Sequence, residues 1–289
     1  MMAISAHDPT HLTPLGRSVA LPGEFPTTVA ASAKNNLVCV GTTGAKAGIS
    51  CAPFSAQGLG EMDSLRSFDI DQTTPPVGPV KTVSQTFFSE DESQLFTTVK
   101  GDGTANNTGF FSVFPVEQSC HAGASLSTTD VRSSPNGTFV LFGSALIPGT
   151  SNVFVTDAAF GGAILSVNNR TNGAKLVAKQ AISGQKATCW AAFSSTRNSV
   201  FVTDVAVNRI IEMSATNAKI LQTTDFSNGD PGLIDLRASG DFVYGLSPGN
   251  GTTSAAITVM NAALGKQVQH FELGSFGANK NAQGLALLD

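Results

Sequence analysis

The phrase Val-Phe-Val-Thr-Asp occurs twice in this chain, at residues 153–157 and 200–204, the copies starting 47 residues apart. Their surroundings also agree, with NVFVTDAAFGGAIL at Asn152–Leu165 and SVFVTDVAVNRIIE at Ser199–Glu212. A β-branched and aromatic phrase repeated at this distance marks a structural unit used more than once. The repeat constrains architecture strongly and chemistry much less.

The rest of the chain carries the same signal. No stretch shows apolar residues at helical spacing. Short runs of Val, Ile, Phe and Thr alternate instead with Gly, Asn, Asp and Ser clusters about every 8–12 residues, the spacing of an all-β sandwich, barrel or propeller. The 29 glycines fit many turns. The runs group by four: ATCWAAFSSTRN, SVFVTDVA, RIIEMSAT and KILQTTDF make the clearest group. The preceding group is TDVRSSPNG, TFVLFGSALIPGTSNVFVTDAA, AILSVN and AKLVAKQAI, and the following one is GLIDLRASGD, FVYGLSP, AAITVMNAA and KQVQHFELG. Two more groups lie upstream, starting at TTVAASAKNN and VSQTFFSEDES. Five units of roughly 42–58 residues have the period of propeller blades. A lone four-stranded sheet cannot bury both faces, so the blades must stack. VFVTD then reads as the second strand of adjacent blades, with Asp157 and Asp204 at equivalent rim positions.

The chain is thus expected to be a single β-propeller domain, with a partial blade at 1–25 and five blades plus a closing strand at 26–289. AQGLALLD at the end reads as a lone first strand, and HLTPLGRSVALPG near the start as third and fourth strands only. Either these terminal pieces close a sixth, partly filled blade, or the chain is an N-terminally shortened seven-bladed ring. The second is favoured because the first complete-looking blade begins only near Pro26.

Charged residues are 13% of the chain and the net charge is −4, so no basic face points to nucleic acid. No apolar run approaches the ~18–20 residues of a membrane helix. The four cysteines, Cys39, Cys51, Cys120 and Cys189, include no C-x-x-C pair, so neither a metal site nor a cofactor is indicated. They are compatible with two disulfides in three connectivities, with Cys39 and Cys51 able to face each other across a hairpin, or with four small buried hydrophobes. Asn106, Asn136, Asn169 and Asn250 head Asn-x-Ser/Thr sequons, which lean towards secretion. MMAISAHDPTHL has neither the basic nor the apolar region of a signal peptide.

NNLVCVGTTGAKAGISCAPFS, SSPNGTFVLFGSAL, NVFVTDAAFGGAIL and ATCWAAFSSTRNSVFVTDVAVNRIIEM together resemble fungal secreted proteins of the 3-carboxymuconate cyclase-like group, within the lactonase-type seven-bladed propellers. The resemblance runs from Met2 to Asp289. It implies a secreted isomerase-type glycoprotein that closes a carboxylated muconate to a lactone or opens a sugar lactone, without a metal. Such a substrate needs Arg or Lys clamps, and lactone closure needs a proton handed to carbon. The enzymatic relatives carry Gly-Pro-Arg, then a ring, then a Pro-x-Gly turn. Here Arg132 and Pro135-Asn136-Gly137 match, while the Gly-Pro and the ring do not.

First strands line the channel of a propeller, which singles out Arg132, Trp190 and Arg237 as substrate contacts. Arg132 and Arg237 read as occupying similar places in two blades, where they would hold one anion. The structural alternative is that each bonds carbonyls or a local Asp130 or Asp235. Asp157 and Asp204 are the candidates for proton transfer, against a role as turn formers bonding backbone N–H groups. Trp190 would floor a pocket or pack between blades. His7, His11, His121 and His270 have no carboxylate at triad spacing, and GDGTANNTG reads as a hairpin turn. Two functions follow: a propeller acting on a small carboxylate or lactone at the channel mouth, or an extracellular glycoprotein or adhesin that uses the propeller only to bind a ligand.

Overall fold

The apolar runs become strands in antiparallel meanders, and a computed structural model describes residues 1–5, 7–8, 10–119 and 123–288 of the chain. Cys120 and His121 lie outside the described residues. The chain gathers into two compact units, one of Met1–Lys100 with Phe111–Arg132 and one of Gly101–Phe110 with Ser133–Asp289.

In the first unit, β1 (Met2–Ile4) and β2 (Leu12–Pro14) pair only with each other. The 1–25 region is therefore a small hairpin followed by irregular chain, without the expected third and fourth blade strands. Blade I is β3 (Pro26–Ser32), β4 (Leu37–Thr42) and β5 (Gly48–Ser55), with two short outer pieces, β6 (Gly58–Leu59) and β7 (Arg66–Ser67), both on β5. Blade II repeats the plan: β8 (Val83–Phe88), β9 (Gln94–Thr104) and β10 (Asn107–Ser119), then β11 (Gly123–Leu126) and β12 (Val131–Ser133), both on β10. GDGTANNTG is the β9–β10 turn, as its composition predicts.

Two features hold the first unit. Cys39 and Cys51 stand directly opposite on β4 and β5 and form a disulfide, both fully buried. Half-buried Arg66 donates to both oxygens of Asp63 at 2.9 Å and to the carbonyls of Leu126 and Ser127 at 2.7 and 2.6 Å, tying the outer edges of blades I and II.

In the second unit, blade III is β13 (Leu141–Leu146), β14 (Asn152–Asp157), β15 (Gly161–Val167) and β16 (Ala174–Ala181). Blade IV is β17 (Thr188–Ser194), β18 (Ser199–Asp204), β19 (Val207–Ser214) and β20 (Ile220–Asp225). Blade V is β21 (Asp235–Ser239), β22 (Phe242–Ser247), β23 (Ala256–Asn261) and β24 (Lys266–Glu272). First strands β13, β17 and β21 lie side by side. Residues 282–288, the described part of AQGLALLD, are irregular chain and do not supply the expected closing strand.

The cores lie between blades, and the strand period of two explains them. On β18, Val200 and Val202 face a cluster with Phe154, Ile164, Ile211 and Met213, shared with blade III. Phe201, between them, faces a second cluster with Leu236, Val243 and Met260, shared with blade V. A second strand is buried on both faces, so its sequence is a continuous apolar run. Outermost β16 alternates half-buried and exposed instead.

One boundary differs from the sequence reading. TDVRSSPNG is not the first strand of blade III; its Val131–Ser133 is β12, the outer edge of blade II, and blade III begins at Leu141. Asp130 fixes this edge, accepting from Ser112 of β10 at 2.6 Å and from Arg132 at 2.9 Å.

Candidate functional site

The two VFVTD phrases end in fully buried carboxylates doing the same job. Asp157 accepts the N–H groups of Phe139 (2.7 Å), Val140 (3.1 Å) and Ala159 (3.0 Å). Asp204 accepts those of Lys186 (2.7 Å), Ala187 (3.3 Å) and Ala206 (3.0 Å). Each clamps the chain entering its blade to the turn that leaves β14 or β18. Burial pushes the Asp157 carboxyl above its ordinary pKa, opposed by its three backbone donors and by the charge of Lys179.

The threonines before these aspartates have a matching task. Phe142 and Gly143 stand opposite Thr156 alone, and Cys189 and Trp190 opposite Thr203 alone, so both first strands carry a bulge. Gly143 N–H donates to Thr156 Oγ1 at 2.9 Å and Trp190 N–H to Thr203 Oγ1 at 3.4 Å. The Thr156 hydroxyl also donates to the carbonyl of buried Cys189 on the next blade. A side chain at Gly143 would place its Cβ 2.5 Å from that carbonyl oxygen and 2.6 Å from Trp190 Cα, so the close approach of β13 to β17 requires glycine. Half-buried Trp190 packs edge-on against Phe142, ring centroids 5.4 Å apart, and against the cluster between blades IV and V.

No family model matches this chain, and no curated protein matches it. Solved structures do. A protein from Bacteroides uniformis provisionally assigned as a 6-phosphogluconolactonase superimposes with a TM-score of 0.65 at 16% identity, over 90% of this chain and 75% of that one. A provisional 6-phosphogluconolactonase from Bacteroides fragilis gives 0.63 at 14% identity, over 90% and 74%. A chain of the nidogen/laminin complex gives 0.54 at 12%, over 88% and 82%. At such identities the likeness is one of fold. The chain is a β-propeller.

In this propeller the two candidate arginines do not hold equivalent places. Arg132 lies on an outer edge, where Nε pairs with Asp130 at 2.9 Å, Nη2 donates to the Ser67 carbonyl at 3.0 Å, and the guanidinium covers the Phe68 ring at 5.0 Å. Arg237 is on β21, the innermost strand of blade V. Its Nη1 donates to Asp235 Oδ1 at 2.8 Å and to the Leu236 carbonyl at 2.7 Å. Nε and Nη2 bond no described residue, and 38% of the side chain is exposed. Asp235 is buried and also accepts Leu285 N–H at 2.6 Å. Burial raises its pKa, opposed chiefly by the charge of Arg237. Neighbouring Leu236 points into the cluster that Trp190 packs against, so Arg237 takes the opposite face of β21. Trp190 and Arg237 thus stand on adjacent first strands without sharing a pocket.

Sequence spacing missed one pair. His270 Nε2 lies 3.1 Å from the buried Asp230 carboxylate, which also accepts the Thr258 hydroxyl at 3.3 Å. Forty residues separate the partners and the aspartate is on the irregular crossing into blade V, so no local pattern could signal it. Thr258 donates to the aspartate, not to the imidazole, so this is not a nucleophilic triad. Among the described residues no three His, Cys, Asp or Glu gather as metal ligands.

Proposed function

We propose that this propeller acts on a small carboxylate or lactone held by Arg237. The observation that carries this reading is the half-committed guanidinium: Asp235 and the Leu236 carbonyl fix Nη1, and the Nε/Nη2 edge, on an innermost strand, has no partner among the described residues. That edge matches a carboxylate with two parallel hydrogen bonds. The provisional lactonase assignments of two fold neighbours support a lactone or its open acid as the ligand class. The sequence resemblance narrows this to a carboxymuconate or its lactone. Asp235 is a positioning residue that aims Arg237. The buried Cys39–Cys51 disulfide and the exposed asparagines of the four sequons support a secreted protein in an oxidising compartment.

A second reading, a binding propeller without turnover, is favoured by a separate observation. Both aspartates that the sequence offers for proton transfer are spent on backbone donors. Ultraviolet-monitored loss of 3-carboxymuconate and pH-stat hydrolysis of a sugar lactone decide between them. Turnover lost in Arg237→Ala and kept in Arg132→Lys supports the first reading. Binding without turnover supports the second. Neither binding nor turnover by folded protein overturns both.

A further inference from the structure

A cleft of about 430 Å³ opens in the second unit beside the Asp157 clamp, away from any residue used above for the ligand of Arg237. Its volume falls in the range of small-molecule sites. Phe139 and Phe160 supply aromatic surface, Ala159 and Gly103 are among the small residues beside them, and Lys179 supplies the one cation of the lining. Asp157 makes these walls rigid, because Phe139 and Ala159 are two of the residues whose N–H groups it holds. Lys179 is placed as well: Nζ donates to the Gly137 carbonyl at 3.1 Å and lies 5.4 Å over the Phe160 ring. An ammonium has three donors and that carbonyl takes one.

From this geometry we propose that the cleft is a second ligand site, for a monoanionic carboxylate with a flat apolar body. The rings take the body, and Lys179 takes the carboxylate. The class follows from charge. Lys179 is the only cation of the lining, and Asp157 stands behind the wall while Asp102 adjoins Gly103. One lysine balances a monoanion and leaves a di- or triphosphate uncompensated.

Benzoate is the probe, titrated through the millimolar range into the full chain and followed by NMR line broadening and saturation transfer. Benzamide is its neutral control. Binding of benzoate is expected to weaken about fivefold for benzamide and for Lys179→Met, the yield of an exposed charge pair. Phe160→Ser is expected to abolish saturation transfer to the ring, and benzoate held at Arg237 instead would be insensitive to both Lys179→Met and Phe160→Ser. Lys179 is on an exposed position of an outer strand, so its replacement leaves the fold intact. Equal binding of benzoate and benzamide, binding unaffected by Lys179→Met, or no binding would each overturn the site. None of these outcomes touches the Arg237 reading, which is tested with 3-carboxymuconate.

Discussion

Replacing Asp157 by alanine separates an architectural role from a catalytic one. The substitution strands three N–H donors, of Phe139, Val140 and Ala159, in a site where the side chain is wholly buried. At about 1–2 kcal/mol for each stranded donor the loss is about 3–6 kcal/mol. Burial opposes ionisation of this carboxyl, so removing the charge returns part of that and a net loss near 3 kcal/mol is expected. This is a large fraction of the ~5–15 kcal/mol that holds a typical native state. Asp157→Asn keeps one acceptor oxygen and should lose about half as much. Because the folded carboxyl has the raised pKa, its contribution is fully present below the unfolded pKa and is lost as pH rises through the folded value. The asparagine variant should lack that slope. Urea unfolding at several pH values reads all of this, and Asp204→Ala, which also strands three N–H donors, should lose a comparable amount of stability at neutral pH. A loss under about 1 kcal/mol in both alanine variants, less than a single stranded donor where three are expected, would refute the clamp.

Two further perturbations test the packing. Gly143→Ala should cost about 1–3 kcal/mol through overpacking, since the new Cβ meets the Cys189 carbonyl and Trp190 Cα; a shift of emission from Trp190, the single tryptophan, should accompany it. Cys39→Ser with Cys51→Ser opens a link of sequence separation 12 and should cost about 2–4 kcal/mol, read as a lower melting temperature that reductant reproduces in the parent chain.

The blades were legible because each obeys a local rule. Second strands buried on both faces read as Val-Phe-Val, and turns read as Gly, Asn and Asp clusters, so the five groups of four emerge from pattern alone. What lay outside that rule was misplaced. Val131–Ser133 looks like any short strand, and only its pairing with β10 shows that it ends blade II instead of opening blade III. AQGLALLD has a strand's composition, yet its described residues 282–288 form none, and Leu285 N–H goes to the Asp235 carboxylate. The repeat of VFVTD marks Asp157 and Asp204 as a matched pair, while their three-donor clamps depend on chain folded back from eighteen residues upstream. Lys179 escaped notice because an outer-strand lysine is ordinary in sequence. Only the ring beneath it and the cleft beside it distinguish it.

The central claim concerns Arg237, and calorimetric titration of 3-carboxymuconate into the parent chain, Arg237→Lys and Arg237→Ala tests it most directly. A bidentate charged pair contributes about 1.5–3 kcal/mol, so Arg237→Ala should weaken binding by about 10- to 150-fold. Arg237→Lys keeps the charge without the fork and should recover only part of that. Equal affinity in all three proteins would contradict the account.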